Sequence, residues 1–468
     1  MQRFFKRLLG VVVLLSLAGQ GCTRALSPET QAAARPVTLR LWAVIDDFDI
    51  YQQAVTAFRR DHPNVSIDYR RLRIEEYESE LLNALAEDRG PDIFLIHNTW
   101  TNKYSTKIVP MPRTTRTAYR VTTQGLKQET TWELRSEPTI SLKEFRDSFA
   151  DSVSYDLLRN VNIAPEGQPG DFQDRPMGVP IGLDTLALYY NKDILNAANI
   201  PTPPENWTQF ADQVRKITRL DSQGNILQSA AAIGTAYNVE RSIDILTALM
   251  LQNGTEMATA DGAPSFHRMP VALQASREEP PSYQATTFYT DFANPTKDVY
   301  TWNANQPASL DAFIQGRTAF FFGYSYHYDT IRSRAPRLNL GLSQLPQIEG
   351  NPAKNVANYW YWAVSKKSRN QDVAWRFLNS LTNAETAKTI LTNAHRPAAR
   401  KSLLSAQLED ERIGVFASQV LTAVSWYKGK DPQAMESAME QLIDDVVTGL
   451  REVDRAVIFA ANQVGQTY

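Results

Sequence analysis

The fold is decided by residues 37–100, VTLRLWAVIDDFDIYQQAVTAFRRDHPNVSIDYRRLRIEEYESELLNALAEDRGPDIFLIHNTW. Residues 37–41 alternate apolar and polar side chains, as a half-buried strand does. Residues 50–60 put Ala54, Val55 and Phe58 on one helical face and stop at Asp61-His62-Pro63. Val65, Ile67 and Tyr69 alternate as a second strand, and Tyr77, Leu81, Leu82 and Leu85 form a second helical stripe that ends before Gly90-Pro91. Residues 93–96 are a continuous apolar run, as expected of a strand covered on both faces. The order strand–helix–strand–helix–strand predicts an α/β architecture with a parallel sheet under helices. In such sheets ligands collect beyond the carboxyl ends of the strands, here residues 42–47 and 97–100.

The chain has 468 residues, which predicts two to four domains. With 43% apolar and 21% charged residues it can bury large cores, so a disordered tail protein is excluded. Lys and Arg total 49 against 51 Asp and Glu, so the basic footprint of a nucleic-acid binder is absent. A single cysteine excludes an internal disulfide framework.

That cysteine stands in an address. Arg3, Lys6 and Arg7 precede an apolar run at residues 8–18, of secretory length and short for a bilayer span. Gly19-Gln20-Gly21 then leads into Cys22. This resembles a bacterial lipoprotein signal, which implies cleavage before Cys22 and lipid on its thiol and new amine. It departs from that pattern at Gly19, where Leu is usual; the alternative is ordinary secretion with a leftover thiol. Residues 1–21 are thus expected to be a signal peptide and 22–36, polar and Ala-rich, a lipid-anchored tether. No later segment reaches 18 apolar residues, so the body is expected outside the cytoplasm, held to the cell membrane at its outer face or in the periplasm.

Further along, residues 101–175 have weak periodicity and read as an irregular excursion with a helix over 142–158, their role left open. A strand is expected over 185–190, and a helix from an Asn206 cap with Gln209 at the third position, as in a capping box. Helices are expected over 243–251, 309–315, 372–381 and 435–459, and strands over 318–322 and 358–364.

Six passages in this order resemble the extracellular solute-binding proteins of ABC importers, in their sugar-binding group (family 1). They are LRLWAV with RRDHPNVSIDY, then GPDIFLIHNTW, GVPIGLDTLALYYNKDILNAANIPTPPENW, AFIQGRTAFFFGYSY, NYWYWAVSKKSRNQDVAWRFLNSLT and NAHRPAARKSL. The resemblance implies the type II periplasmic-binding-protein fold: two discontinuous α/β lobes with central parallel-type sheets and a hinge of crossover strands. Crossings are expected near Asp184, near Asn358 and at 396–401. One lobe would hold 37–184 with 358–398, the other 185–357 with 399–468. It also implies a monomer that captures a mono- or oligosaccharide and hands it to permease subunits, without cofactor or catalysis.

A sugar offers hydroxyl edges and apolar C–H faces, so its site needs flat aromatic surfaces beside planar hydrogen-bonding groups. The candidates at predicted loop ends are Trp42 with Asp46 and Asp47, Asn98 with Trp100, Tyr237, Trp302, and Tyr324 with Tyr326. Trp360, Trp362, Asp184 and Arg396 stand at the proposed crossings. Each has a plainer alternative. Strand tryptophans are often core, the strand period sends half of Tyr359-Trp360-Tyr361-Trp362 away from any one face, and aspartates often cap helices. An extracellular glycoside hydrolase would need two carboxylates facing the sugar, whereas Asp46 and Asp47 are adjacent and diverge. A polyamine or peptide ligand remains an alternative, since aspartates stand near Trp42. The five histidines lack metal-ligand spacing and no phosphate-binding loop motif occurs.

Overall fold

The computed structural model describes residues 26–122, 129–164 and 167–468. The expected leader 1–21 and Cys22 lie outside the described residues. Strands β1 (Val37–Ala43), β2 (Val65–Arg71) and β3 (Ile93–His97) stand where their patterns predict, and β1 pairs in parallel with both others. Leu39 and Leu41 turn into the core while Thr38 and Arg40 stay exposed, and β3 is buried over its apolar run. The helix Asp49–Asp61 covers the sheet with Tyr51, Ala54, Val55 and Phe58. The helix Ile74–Ala86 does so with Tyr77, Leu81, Ala84 and Leu85.

One expectation is corrected here. The sheet is mixed, because the strand Trp360–Ser365 inserts antiparallel to β3, with Trp360 opposite His97. This strand returns from a crossing rather than from a covering helix, so nothing obliges it to run parallel. A second mixed sheet has the order Arg219–Leu220, Ile226–Ala231, Thr318–Gly323, Ala187–Asn191, Leu340–Gln344. Its central strand Thr318–Gly323 is buried throughout. Phe320 and Phe322 meet Phe210 of the helix Trp207–Ile217, while Phe321 packs on Phe313 on the other face. That helix starts at its expected cap, Asn206 accepting from Gln209 N–H at 2.8 Å, but the Gln209 side chain reaches one residue beyond the capping-box position and accepts from Glu205 N–H at 2.9 Å.

Each sheet has its own core. The first draws on residues 39–183 and 357–423, the second on 186–356 and 426–464. The segment 401–423 is shared. Leu404, Ile413, Ala417 and Val420 join the first core, whereas Phe416 joins the cluster beneath Tyr189 and Phe321. The chain passes between the cores near Asp184, Asn358 and Val424, where backbone pairs Asp184 with Asn358 and Asn355–Val356 with Ala423–Val424, and Gly182 pairs with Ala398 beside them. The passage expected at 396–401 falls near 424 instead, because Ala398, Ala399 and Leu404 still pack in the first core.

Other departures have local causes. The stretch expected to be a tether folds from Pro28 to Ala33 into a short helix, because Ser27 caps it and Thr30 buries against the body. Its Glu29 pairs with Arg116. The excursion contains two hairpins, Thr114–Thr122 with Thr130–Pro138 and Leu158–Asn162 with Phe172–Pro176. The helix expected over 142–158 breaks at Phe149-Ala150, both buried, into Leu142–Ser148 and Asp151–Leu157. The one expected over 435–459 breaks into Pro432–Val447 and Val453–Gly465 around Gly449, whose φ of +70° a helix interior does not allow.

Asn355 is fully buried at the third crossing, where it clamps both backbone groups of Leu186, accepting from its N–H at 3.0 Å and donating to its carbonyl at 2.8 Å. Asn355→Ala strands a buried N–H and is expected to cost about 1–3 kcal/mol. Urea denaturation should show a lower midpoint at unchanged slope; an unchanged midpoint contradicts this role.

Candidate functional site

A cavity of about 510 Å³ opens between the two cores. Its floor is the crossing backbone, Gly182, Asp184, Asn358 and Pro397. The first core supplies Asp46, Glu78, His97, Trp100, Lys103, Trp360, Trp362 and Arg396, and the second supplies Arg241, Tyr326 and Glu436. Strand periodicity explains why Trp360 and Trp362 both reach it. Tyr361, between them, turns away to donate to Thr101 Oγ1 at 3.2 Å.

The aromatic rings are braced. Trp360 meets Trp100 edge-on at 5.3 Å, His97 at 5.3 Å and Tyr77 at 6.0 Å. Trp100 stacks on Tyr104 at 5.9 Å. Across the gap Tyr326, 42% exposed, lies over the buried Tyr324 at 5.8 Å and 21°. Rings held this way keep a fixed face at little entropic cost.

The charges pair among themselves, although Arg396 Nε is buried without a partner among the described residues. Arg396 reaches Asp46 at 2.9 Å, and the Tyr51 hydroxyl donates to the same carboxylate at 3.1 Å. His395, at a left-handed φ of 50°, ends the preceding helix and turns the chain so that Arg396 can do this. Lys103 reaches Glu78 at 2.6 Å. Arg241, itself left-handed at φ 54°, reaches Asp244 at 2.8 Å and Glu436 at 3.6 Å. Burial drives the Glu436 carboxyl up, and the carboxylates around Arg241 hold its proton more firmly than usual. His97 is neutral, its pKa lowered by burial to about 4. Nε2 therefore donates to the Asn358 side-chain oxygen at 3.2 Å, leaving Nδ1 to accept from Thr99 at 2.8 Å. Asp184 accepts from Ser325 N–H at 2.9 Å and Ser325 Oγ at 2.6 Å, a side-chain tie between the chain pieces at the hinge.

Of the residues singled out in the sequence, the cavity gathers Asp46, Trp100, Asp184, Tyr326, Trp360, Trp362 and Arg396. The others stand elsewhere. Trp42 is buried, with Arg70 4.8 Å over its ring. Asp47 is an exposed partner of Arg71 at 2.7 Å. Asn98 is buried behind the cavity and donates to Asp156, the Ala357 carbonyl and Ser425. Tyr237 is 71% exposed on the outer surface and donates to the Ala304 carbonyl. Trp302 and Tyr324 are fully buried, donating to Asn238 at 3.3 Å and Asp244 at 2.7 Å. These two are core residues rather than exposed platforms, because the loop and strand end that carry them turn inward. Sequence reasoning missed Glu78, Lys103, Arg241 and Glu436. Glu78 lies inside the helix Ile74–Ala86 and Lys103 in the short turn after β3, neither with a pattern of its own, and Arg241 and Glu436 are far apart in the chain.

Burial raises the Asp184 carboxyl from the usual 3.8 to about 6. The folded state therefore favours its proton, and the stability linked to it falls as pH rises from about 4 to about 6. Asp184→Asn is expected to flatten that part of the stability–pH curve by about 1–3 kcal/mol, read from urea midpoints at several pH values. An unchanged curve contradicts the assignment.

The chain is similar to a binding protein of Brucella abortus (strain 2308), with 25% identity over 220 residues that cover 46% of this chain and 48% of that one. It thus spans about half the length of the curated relatives of that kind. It is 20% identical over 334 residues to the galactooligosaccharide-binding protein of Bacillus subtilis (strain 168), covering 67% of this chain and 73% of the relative. Its fold is that of the cyclic alpha-maltosyl-1,6-maltose binding protein from Arthrobacter globiformis, with a TM-score of 0.69 at 16% identity over 92% of this chain and 99% of that one. The sequence model of the bacterial extracellular solute-binding protein family matches residues 53–413, and the chain belongs to that family.

Proposed function

We propose that this protein captures an uncharged carbohydrate between its two lobes and releases it unaltered to the permease of an ABC importer. The observation that carries the reading is the combination, in one cavity, of braced rings from both sides with charges already paired inside the protein. Trp100, Trp360 and Tyr326 offer flat faces for C–H surfaces. The closed pairs Asp46–Arg396, Glu78–Lys103 and Arg241–Asp244 leave a hydroxyl-bearing guest to hydrogen-bond at their edges. A charged guest would instead have to break one of them. The name of the Bacillus relative supports the same class of ligand.

In this reading the lobes are 37–184 with 358–398 and 185–357 with 399–468, the segment 401–423 packing on both. The three crossings are the hinge, and a guest touching Trp360 on one lobe and Tyr326 on the other favours the closed form. Turnover has no place in it. Asp46 is held by Arg396 and Tyr51, and Asp184 by Ser325. Cys22 is the proposed lipid anchor, and the working unit is a monomer.

Trp360→Ala is expected to weaken the best saccharide of a thermal-shift screen by about 1–2 kcal/mol, roughly tenfold, with the protein still folded. Amino acids and polyamines in the same screen should leave the melting point unchanged. A polyamine raising it while saccharides do not would replace the carbohydrate reading. For the anchor, Cys22→Ser should move the protein from the membrane fraction to the soluble fraction of cells; retention on the membrane contradicts it.

A further inference from the structure

The cavity has two unlike ends. At one, Trp100, Trp360 and Tyr326 stand among Glu78, Lys103 and Arg241. At the other, the wall is aliphatic: Val44, Ile45, Ile181, Leu183, Leu391 and Ala394. These come from three places that the fold brings together. Val44 and Ile45 follow β1, Ile181 and Leu183 flank Gly182 on the first crossing strand, and Leu391 and Ala394 close the helix Ala384–Ala394. Gly182 is what lets them meet, since a Cβ there would lie 3.0 Å from the Pro397 carbonyl oxygen and 3.4 Å from Leu391. The polar groups bordering this end are Asp46, which accepts from Arg396 and from the Tyr51 hydroxyl, and Arg396, whose buried Nε has no partner among the described residues.

A sugar ring pushed into this end would surrender water from several hydroxyls and find the free Arg396 Nε–H as a donor for one of them, which is costly. A hydrocarbon group there would gain by leaving water. Resting on the carbohydrate reading, we propose that the solute is a substituted sugar, a glycoside or acylated saccharide. Its carbohydrate part lies against Trp100, Trp360 and Tyr326, and its apolar substituent enters the aliphatic end beside Ala394. The Asp46–Arg396 pair marks the boundary between the two parts.

The test is a calorimetric titration of the intact protein with glucose, galactose and maltose, each beside its hexyl β-glycoside. It is repeated on Ala394→Phe, which fills the aliphatic end, and on Ile45→Ser, which makes it polar. A buried methylene adds about threefold to fourfold in affinity, so the hexyl form is expected to bind at least roughly tenfold tighter than its parent sugar. Both variants should lose most of that gain while the parent sugar stays within about twofold; should one variant fail to melt cooperatively, the other carries the comparison. If parent and hexyl forms bind the unaltered protein equally, the inference is overturned and the carbohydrate reading stands. A hexyl gain that survives in both variants places the substituent elsewhere and overturns it too. If neither saccharides nor glycosides bind, the carbohydrate reading fails and the inference falls with it.

Discussion

The whole arrangement depends on one constraint: the chain passes between its two cores only as paired backbone. Gly182 pairs with Ala398, Asp184 with Asn358, and Asn355–Val356 with Ala423–Val424. Paired strands bend together but do not slide past one another, so two bodies joined this way can open and close without losing register. The same backbone is the floor of the cavity. In the proposed reading the hinge and the site are therefore built from the same residues, and a guest that rests on the floor and touches both walls acts directly on the hinge.

The chemistry follows from that position. A cleft between two lobes exposes any charge it holds when open and buries it when closed. Unpaired charges there would make closure costly. In this protein they are paired within a lobe or held neutral: Asp46 with Arg396, Glu78 with Lys103, Arg241 with Asp244, and His97 uncharged. In the proposed reading, what remains to select a ligand is surface shape, ring faces and the aliphatic wall.

Much of this could be read in the sequence, and the reasons for the rest are physical. Alternation, one continuous apolar run and helical stripes placed β1 to β3 and their helices, because β1, β2 and the helices bury one face of ordinary hydrocarbon residues and β3 buries both. The hairpin Thr114–Thr122 was invisible because its inward residues include Thr115 and Thr117, which are buried but do not look apolar. The long C-terminal helix was overextended because spacing persists across Gly449 while the backbone does not. In the site, Trp360 and Trp362 were legible through their period. Trp302 and Tyr324 were misread because an aromatic at a loop or strand end carries no sign of which way it turns. Glu78, Lys103 and Glu436 owe their place to tertiary packing, and Arg241 to a left-handed turn, neither of which short-range pattern records.

The central claim is that a carbohydrate is held unaltered between the lobes, and the most direct measurement is the crystal structure of the protein with a bound saccharide. The account predicts an intact sugar with a ring face on Trp360, contacts from Tyr326 across the gap, and the Asp46–Arg396 pair unbroken. A saccharide seated on one lobe alone, outside the cavity above Gly182 and Asp184, or found cleaved, would contradict it.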